Sequence, residues 1–200
     1  HQRYRGVLGC RAELPVGRAP AHDAHRPEEI AVDHQADADE YARNDAAEEE
    51  CKKALKADER NIPAMVALGT SYAARKRSEL ARMVLENARL VDPGDPAILN
   101  RLGFVELALG NRPQAIEHFK AAAALRLDYP EAHANYGAIL ADADDFAAAV
   151  QELELAVKYA PRLAGAWLDL GNAFRGLQEF EKAEAAYRQA LQLDPALNDA

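Results

Sequence analysis

Apolar side chains recur at helical spacing through the last two thirds of the chain, four times over. In residues 62–95, 96–129, 130–163 and 164–197 the fourth, seventh and eleventh positions read Met65, Leu68, Tyr72; Leu99, Leu102, Glu106; His133, Tyr136, Leu140; and Trp167, Leu170, Phe174. An i, i+3, i+7 series lies on one side of a helix, so the stripe predicts a buried face. The residue after the middle one is always glycine, and Gly69, Gly103, Gly137 and Gly171 keep an unbroken period of 34. Glycine inside a helix costs about 1 kcal/mol relative to alanine. What it offers in return is room for a second helix to come close, so substituting it is expected to hurt through crowding.

The second half of each unit supplies that helix. Ala81, Leu85, Ala88 are followed by Ala115, Phe119, Ala122, by Ala149, Leu153, Ala156 and by Ala183, Tyr187, Ala190. Small, large, small at spacings of four and three predicts a large side chain wedged between backbones that alanine holds close. Each unit is therefore predicted to be a helical hairpin. A fixed period of this length marks stacked units, none of which buries its apolar face alone. Punctuation agrees: Pro96 and Pro130 fall in first helical turns, a helix restarts over 111–113 after Gly110, and Pro93, Pro161 and Pro195 close units. Leu127 stands where the second unit lacks its closing proline.

Residues 1–61 differ. Over 1–27, Gly6, Gly9, Gly17, Pro15, Pro20 and Pro27 interrupt any helical period, which reads as a tail or linker. Residues 28–61 turn alanine-rich and charged, and Ala47, Cys51 and Ala54 land in the second-helix columns, whereas His34 and Gln35 replace the Leu-Gly pair. The segment is expected to be a degenerate unit whose helix near 41–58 caps the stack.

With Trp, Leu-Gly, Tyr or Phe, Ala, an aromatic, Ala and Pro in this order, residues 62–197 resemble the tetratricopeptide repeat family. The last unit carries the resemblance best, with Trp167, Leu170, Gly171, Phe174, Ala183, Tyr187, Ala190 and Pro195. It implies an all-α solenoid, a right-handed superhelix of antiparallel helical hairpins, and a role as a scaffold that binds partner proteins. The identity of the partner does not follow, since the family serves many.

Composition narrows the setting. The chain is 49% apolar and 28% charged with a net charge of −9, and no stretch approaches the roughly 18 apolar residues of a membrane span. Arg75, Lys76, Arg77 and Arg82 cluster at the first inter-helix turn, which reads as a solvated turn, and the acidic balance argues against nucleic acid as a partner. Two cysteines, Cys10 and Cys51, are too few for a disulfide framework, and Cys51 sits at a core position as a buried thiol.

Catalytic chemistry finds no place in the sequence. His22 and His25 read as an incidental surface pair, His133 as a packed histidine and His118 as a surface one. Glu48–Glu50 read as a solvated helix face, and Asp142, Asp144 and Asp145 as a turn with a helix cap. No phosphate loop or nucleophile elbow is present. The expectation is no enzyme, no metal and no cofactor.

The resemblance places a concave groove along the first helices. One helical stripe through them gives Val66, Thr70 and Ala73, then Asn100, Phe104 and Leu107, then Glu131, Ala134, Ala138 and Ala141, then Leu168, Asn172 and Arg175. Asn100, Asn172 and, on the flank, Asn135 are candidates to hydrogen-bond a peptide backbone, because an amide both donates and accepts. Phe104, Leu107 and Leu168 are candidates for its apolar side chains. The repeats that clamp a C-terminal carboxylate with lysine, asparagine and arginine are matched at Asn135 alone. Gly165 and Asp169 stand where Lys and Arg belong, and an aspartate would repel the carboxylate.

Three further expectations concern context. The chain opens at His1 without an initiating methionine, as a processed or trimmed chain would. Val7-Leu8-Gly9-Cys10 resembles the end of a bacterial lipoprotein signal but lacks the apolar stretch before it; lipid on Cys10 would imply an outer-membrane lipoprotein assisting a secretin, pilus or gliding-motility complex. The compartment, cytoplasm or cell envelope, stays open on this evidence, as does a substrate-presenting arm of a larger enzyme. Last, Leu191 and Leu193 lack a following repeat, which predicts a partner or self-association at the C-terminal end.

Overall fold

The computed structural model describes the backbone of residues 34–199 and the side chains of 45–197, so Cys10, His22, His25 and the 1–27 segment lie outside the described residues. The described residues are helices and turns, with no strand: α1 (His34–Ala57), α2 (Ile62–Ala74), α3 (Ser78–Val91), α4 (Pro96–Ala108), α5 (Arg112–Leu125), α6 (Pro130–Ala141), α7 (Phe146–Tyr159), α8 (Ala164–Gly176), α9 (Phe180–Leu193) and a 3-10 turn (Pro195–Asp199). None of these helices is long and apolar enough to cross a membrane. They form two compact units divided between Val91 and Asp92.

In the first unit α2 pairs with α3, and α1 packs on α2. Over 28–61, where a degenerate hairpin is expected, the described part is one uninterrupted helix. From His34 to Ala57 the sequence holds no glycine or proline, so nothing breaks the helical run. Cys51 is buried there as a thiol rather than a disulfide.

The second unit repeats the hairpin three times, α4 with α5, α6 with α7 and α8 with α9. Its helix starts are chemically marked. The Asp95 carboxylate accepts from the Ala97 amide at 2.8 Å and that of Asp145 from Ala148 at 3.2 Å, satisfying backbone donors that a first turn leaves free. Asn61 does the same for α2 in the first unit, accepting from Ala64 at 3.0 Å.

The periodic glycines meet the periodic large residues. An added Cβ would lie 2.7 Å from Leu85 at Gly69, 2.5 Å from the Phe119 ring at Gly103, 2.6 Å from Leu153 at Gly137 and 2.5 Å from the Tyr187 ring at Gly171. Each wedge thus rests on the bare backbone of its own hairpin, flanked by alanines such as Ala115, Ala122, Ala149 and Ala156 that expose nothing. The apolar stripe on the first helices is buried at Met65, Leu68, Tyr72, Leu99, Leu102, Leu170 and Phe174. Trp167 departs from that reading: it is only half-buried at the edge of the core, and Tyr136 and Leu140 are half-buried too.

A second periodicity lies in the turns. Lys76, Gly110, Asp144 and Gln178 all take positive φ, between 57° and 79°, and they too follow every 34 residues. Each closes a first helix with the left-handed residue that commonly ends one.

Candidate functional site

Within the second unit the two sets of helices pack differently. α6 touches both α4 and α8, so the three first helices form a continuous row, whereas the backbones of α5, α7 and α9 do not come close to one another. The first-helix row is the tighter side, and it carries most of the residues the sequence singles out.

Those residues divide by burial. Phe104 and Leu107 on α4 are exposed at 49% and 39%, an apolar pair open to a ligand, and Phe104 stacks edge-on against Phe119 with ring centroids 5.2 Å apart. Ala138 and Leu168 are half-buried on α6 and α8, and Arg175 is exposed at the end of α8. Asn100, by contrast, is buried. Its Oδ1 accepts from Asn135 Nδ2 at 2.8 Å, and its side chain also bonds the Tyr129 hydroxyl, whose ionisation is pushed up chiefly by burial and then by Glu131. Asn100 therefore acts inside the protein, holding Asn135, and it is Asn135 whose carbonyl is unspent among the described residues.

Asn172 is fixed in the same manner. Tyr187, the wedge residue of the last hairpin, donates its hydroxyl to Asn172 Oδ1 at 2.9 Å, which engages the amide oxygen and not its NH2. In the first unit Val66 is half-buried and Thr70 buried on α2.

The polar clusters close on themselves. Glu48 is buried, a correction to the reading of Glu48–Glu50 as solvated: it accepts from Ser71 Oγ at 3.1 Å and from Arg75 Nη1 at 2.8 Å, with Arg77 at 3.7 Å. The turn cluster keeps Lys76 and Arg77 at the surface, while Arg75 and Arg77 also reach Glu48 and Arg82 pairs with Glu79. The cause is the packing of α1 on α2, which a charge run read alone does not reveal. Glu106 replaces the aromatic of the stripe and is buried, accepting from Asn111 Nδ2 at 2.7 Å. His133 is 2% exposed with Nδ1 2.7 Å from Glu152 Oε2. Asp145 caps α7 and Asp144 sits in the turn before it.

Tetratricopeptide repeat models match residues 66–126, 100–164 and 164–197. The chain belongs to the tetratricopeptide repeat family. Its fold is correspondingly the all-α repeat of that family. Among solved structures it is similar to MamA, at 22% identity over 86% of this chain and 100% of that one with a TM-score of 0.67. It is also similar to residues 41 to the end of MamA from Desulfovibrio magneticus RS-1, at 28% identity over 67% and 76% with a TM-score of 0.60. A third is YrrB, described as a tetratricopeptide repeat protein with an unusual peptide-binding site, at 21% identity over 78% and 81% with a TM-score of 0.61. No curated protein matches the chain.

Two residues that shape the first-helix row escape a stripe reading. Tyr129 precedes the proline that opens α6, and Tyr187 belongs to a second helix. Both orient asparagines on the first-helix row from outside it. The signal available in sequence was the pair of aromatic hydroxyls at positions where the wedge or the turn needs bulk alone.

Proposed function

We propose that the chain is a non-catalytic protein-interaction scaffold that holds a peptide or partner helix across the first-helix row α4, α6 and α8. The observation that carries this reading is the exposed pair Phe104 and Leu107 on a row that also presents Asn135, its amide held by Asn100 and its carbonyl unspent. A bound segment would bury an apolar side chain against Phe104 and Leu107 and bond its backbone to Asn135 and Asn172. The alanine floor of α6, Ala134 and Ala138, lets that backbone approach. The groups that would be suspected of chemistry, His133 and Glu48, are engaged within the protein. Membership of a repeat family and likeness to YrrB support binding of this kind.

Selection of linear peptides on the immobilised chain tests it. Recovered peptides are expected to share an apolar position and to lose binding per folded molecule to Phe104→Ala/Leu107→Ala, with a melting temperature lowered only modestly through loss of the Phe104–Phe119 edge contact. Peptides that bind the double variant as well as the wild type would move the site elsewhere.

A further inference from the structure

One column of the repeat puts a different group on the first-helix row in each hairpin. In α4–α5 and in α8–α9 the ninth residue of the 34-residue period meets the wedge residue of its own hairpin. In α4–α5 the two are rings, Phe104 standing edge-on to Phe119 with centroids 5.2 Å apart. In α8–α9 they are Asn172 and Tyr187, and the ring contact gives way to a hydrogen bond of 2.9 Å from the hydroxyl to Asn172 Oδ1. Ala138 holds the place between them. Along the row the column therefore reads apolar ring on α4, small side chain on α6 and amide on α8.

The two amides at the surface of the row, on α6 and α8, are each half-spent, at opposite atoms. Asn135 gives an N–H to Asn100 Oδ1 at 2.8 Å, which leaves its own oxygen without a donor among the described residues. Asn172 is the reverse case: its oxygen takes the Tyr187 proton, and its NH2 has no acceptor among the described residues. Turning an amide over exchanges donor for acceptor, so the internal partner of each decides what the row offers. Asn100 sets an acceptor on α6, and Tyr187 sets a donor on α8. These helices touch, and both asparagines are half-buried on them.

A ligand lying across both has to carry an N–H and a C=O that are not already bonded within it. The interior of a helix has neither, since its backbone groups bond one another and only the first and last turns leave any open. A carboxylate supplies acceptors alone, and Asp169 on α8 repels it. An extended chain carries both groups at every residue but proline. We propose that the row takes an extended peptide segment of a partner protein, not a helix, and that Tyr187 is the positioning residue that turns the Asn172 NH2 toward a main-chain carbonyl while Asn135 accepts a main-chain N–H. This rests on the reading of the row as the binding surface and narrows its occupant to one backbone conformation.

Two sets of peptides would be selected on the full chain, one linear with random sequence and one held helical by a side-chain staple. Ligands that lose binding to Phe104→Ala/Leu107→Ala are expected from the linear set and none from the helical one. Replacing single amides of a recovered peptide by esters removes one N–H and weakens one carbonyl at a time. One such ester should weaken binding to the wild type about five- to tenfold and leave Asn135→Ala indifferent, and a different one should do the same with Asn172→Ala. Tyr187→Phe keeps the ring on Gly171, and in it the second ester should lose most of its effect, which a purely structural hydroxyl would not alter. Asn172→Asp keeps the oxygen that Tyr187 bonds and puts another where the NH2 stands, so binding should fall about tenfold or more. Undiminished affinity of Asn172→Asp would overturn the proposal. So would stapled helices that bind through Phe104 and Leu107, or esters that weaken every variant alike; each of these leaves the row as the binding surface. Ligands indifferent to Phe104→Ala/Leu107→Ala, or none from either set, would remove that surface and the proposal with it.

Discussion

Phe119 lies on Gly103 so closely that a methyl group at the glycine would meet Cε1 of the ring at 2.5 Å and two further ring atoms at 2.7 Å. The ring is 1% exposed and has no free direction in which to retreat. Helix propensity favours Gly103→Ala by roughly 1 kcal/mol, while overpacking a filled core costs about 1 to 3 kcal/mol. The steric term is expected to win, for a net loss of about 1 to 2 kcal/mol by thermal or urea denaturation. Adding Phe119→Leu should restore part of it, and a double-mutant cycle without coupling would show that the contact does not carry the effect.

The turns give a prediction of opposite chemistry. Gly110 has φ of +79° with nothing within 4 Å of where a Cβ would stand, so alanine there meets no crowding and yet strains the backbone. Gly110→Ala should cost about 1 to 2 kcal/mol. Gln178→Gly, at the matching position with φ of 62°, should stabilise slightly, by roughly 0.5 kcal/mol after the greater freedom of the unfolded glycine is subtracted. Melting temperatures moving the same way for both substitutions would refute the assignment.

The contrast between these two glycine positions shows what the sequence could and could not convey. The helical glycines and their wedges were legible because both partners of each contact recur, and close approach tolerates one residue type on one side. The left-handed turn residues repeat just as regularly, but lysine, aspartate and glutamine occupy three of the four places, so the period is conformational and leaves no mark in residue identity. The same limit applies to the site. Phe104 and Leu107 could be placed on the first-helix row by spacing alone, whereas the burial of Asn100 depends on Asn135 and Tyr129, which come from α6 and the turn before it. Glu48 was misread for the same reason, its partners lying 23 and 27 residues away. Position 167 carries the tryptophan typical of its column, yet that side chain is only half-buried at the edge of the core.

Alkaline pH should weaken the fold through Tyr129 and Tyr136. Burial is the first cause of the upward displacement in both, with acidic neighbours, Glu131 for one and Glu152 for the other, adding to it. The native state then holds the phenolic proton to higher pH than the unfolded chain, whose tyrosines ionise near about 10. Above that value the unfolded state binds fewer protons, so stability falls as pH rises, and it is fully present below. Urea midpoints are expected to be flat between about pH 8 and 9 and to drop beyond about 10, with a shallower fall in Tyr129→Phe. An identical slope in that variant would remove Tyr129 from the explanation.

Asn100 and Asn135 should separate stability from recognition. Asn100 is buried and bonded to both Asn135 and Tyr129, so Asn100→Ala leaves two polar groups without a partner and is expected to cost about 1 to 3 kcal/mol. Truncating a buried amide also empties space that the small side chains of α6 cannot fill. Asn135 is half-buried and engages Asn100 through one N–H only. Asn135→Ala should therefore lower stability less, by about 1 kcal/mol, while removing the amide that faces a bound backbone. The two variants are compared by urea denaturation and by affinity for a peptide selected on the wild-type chain. The expected pattern is a stability loss dominated by Asn100→Ala and a binding loss per folded molecule dominated by Asn135→Ala. If Asn135→Ala binds the peptide as the wild type does, the amide pair is structural only, and the first-helix row recognises its ligand through Phe104 and Leu107 alone.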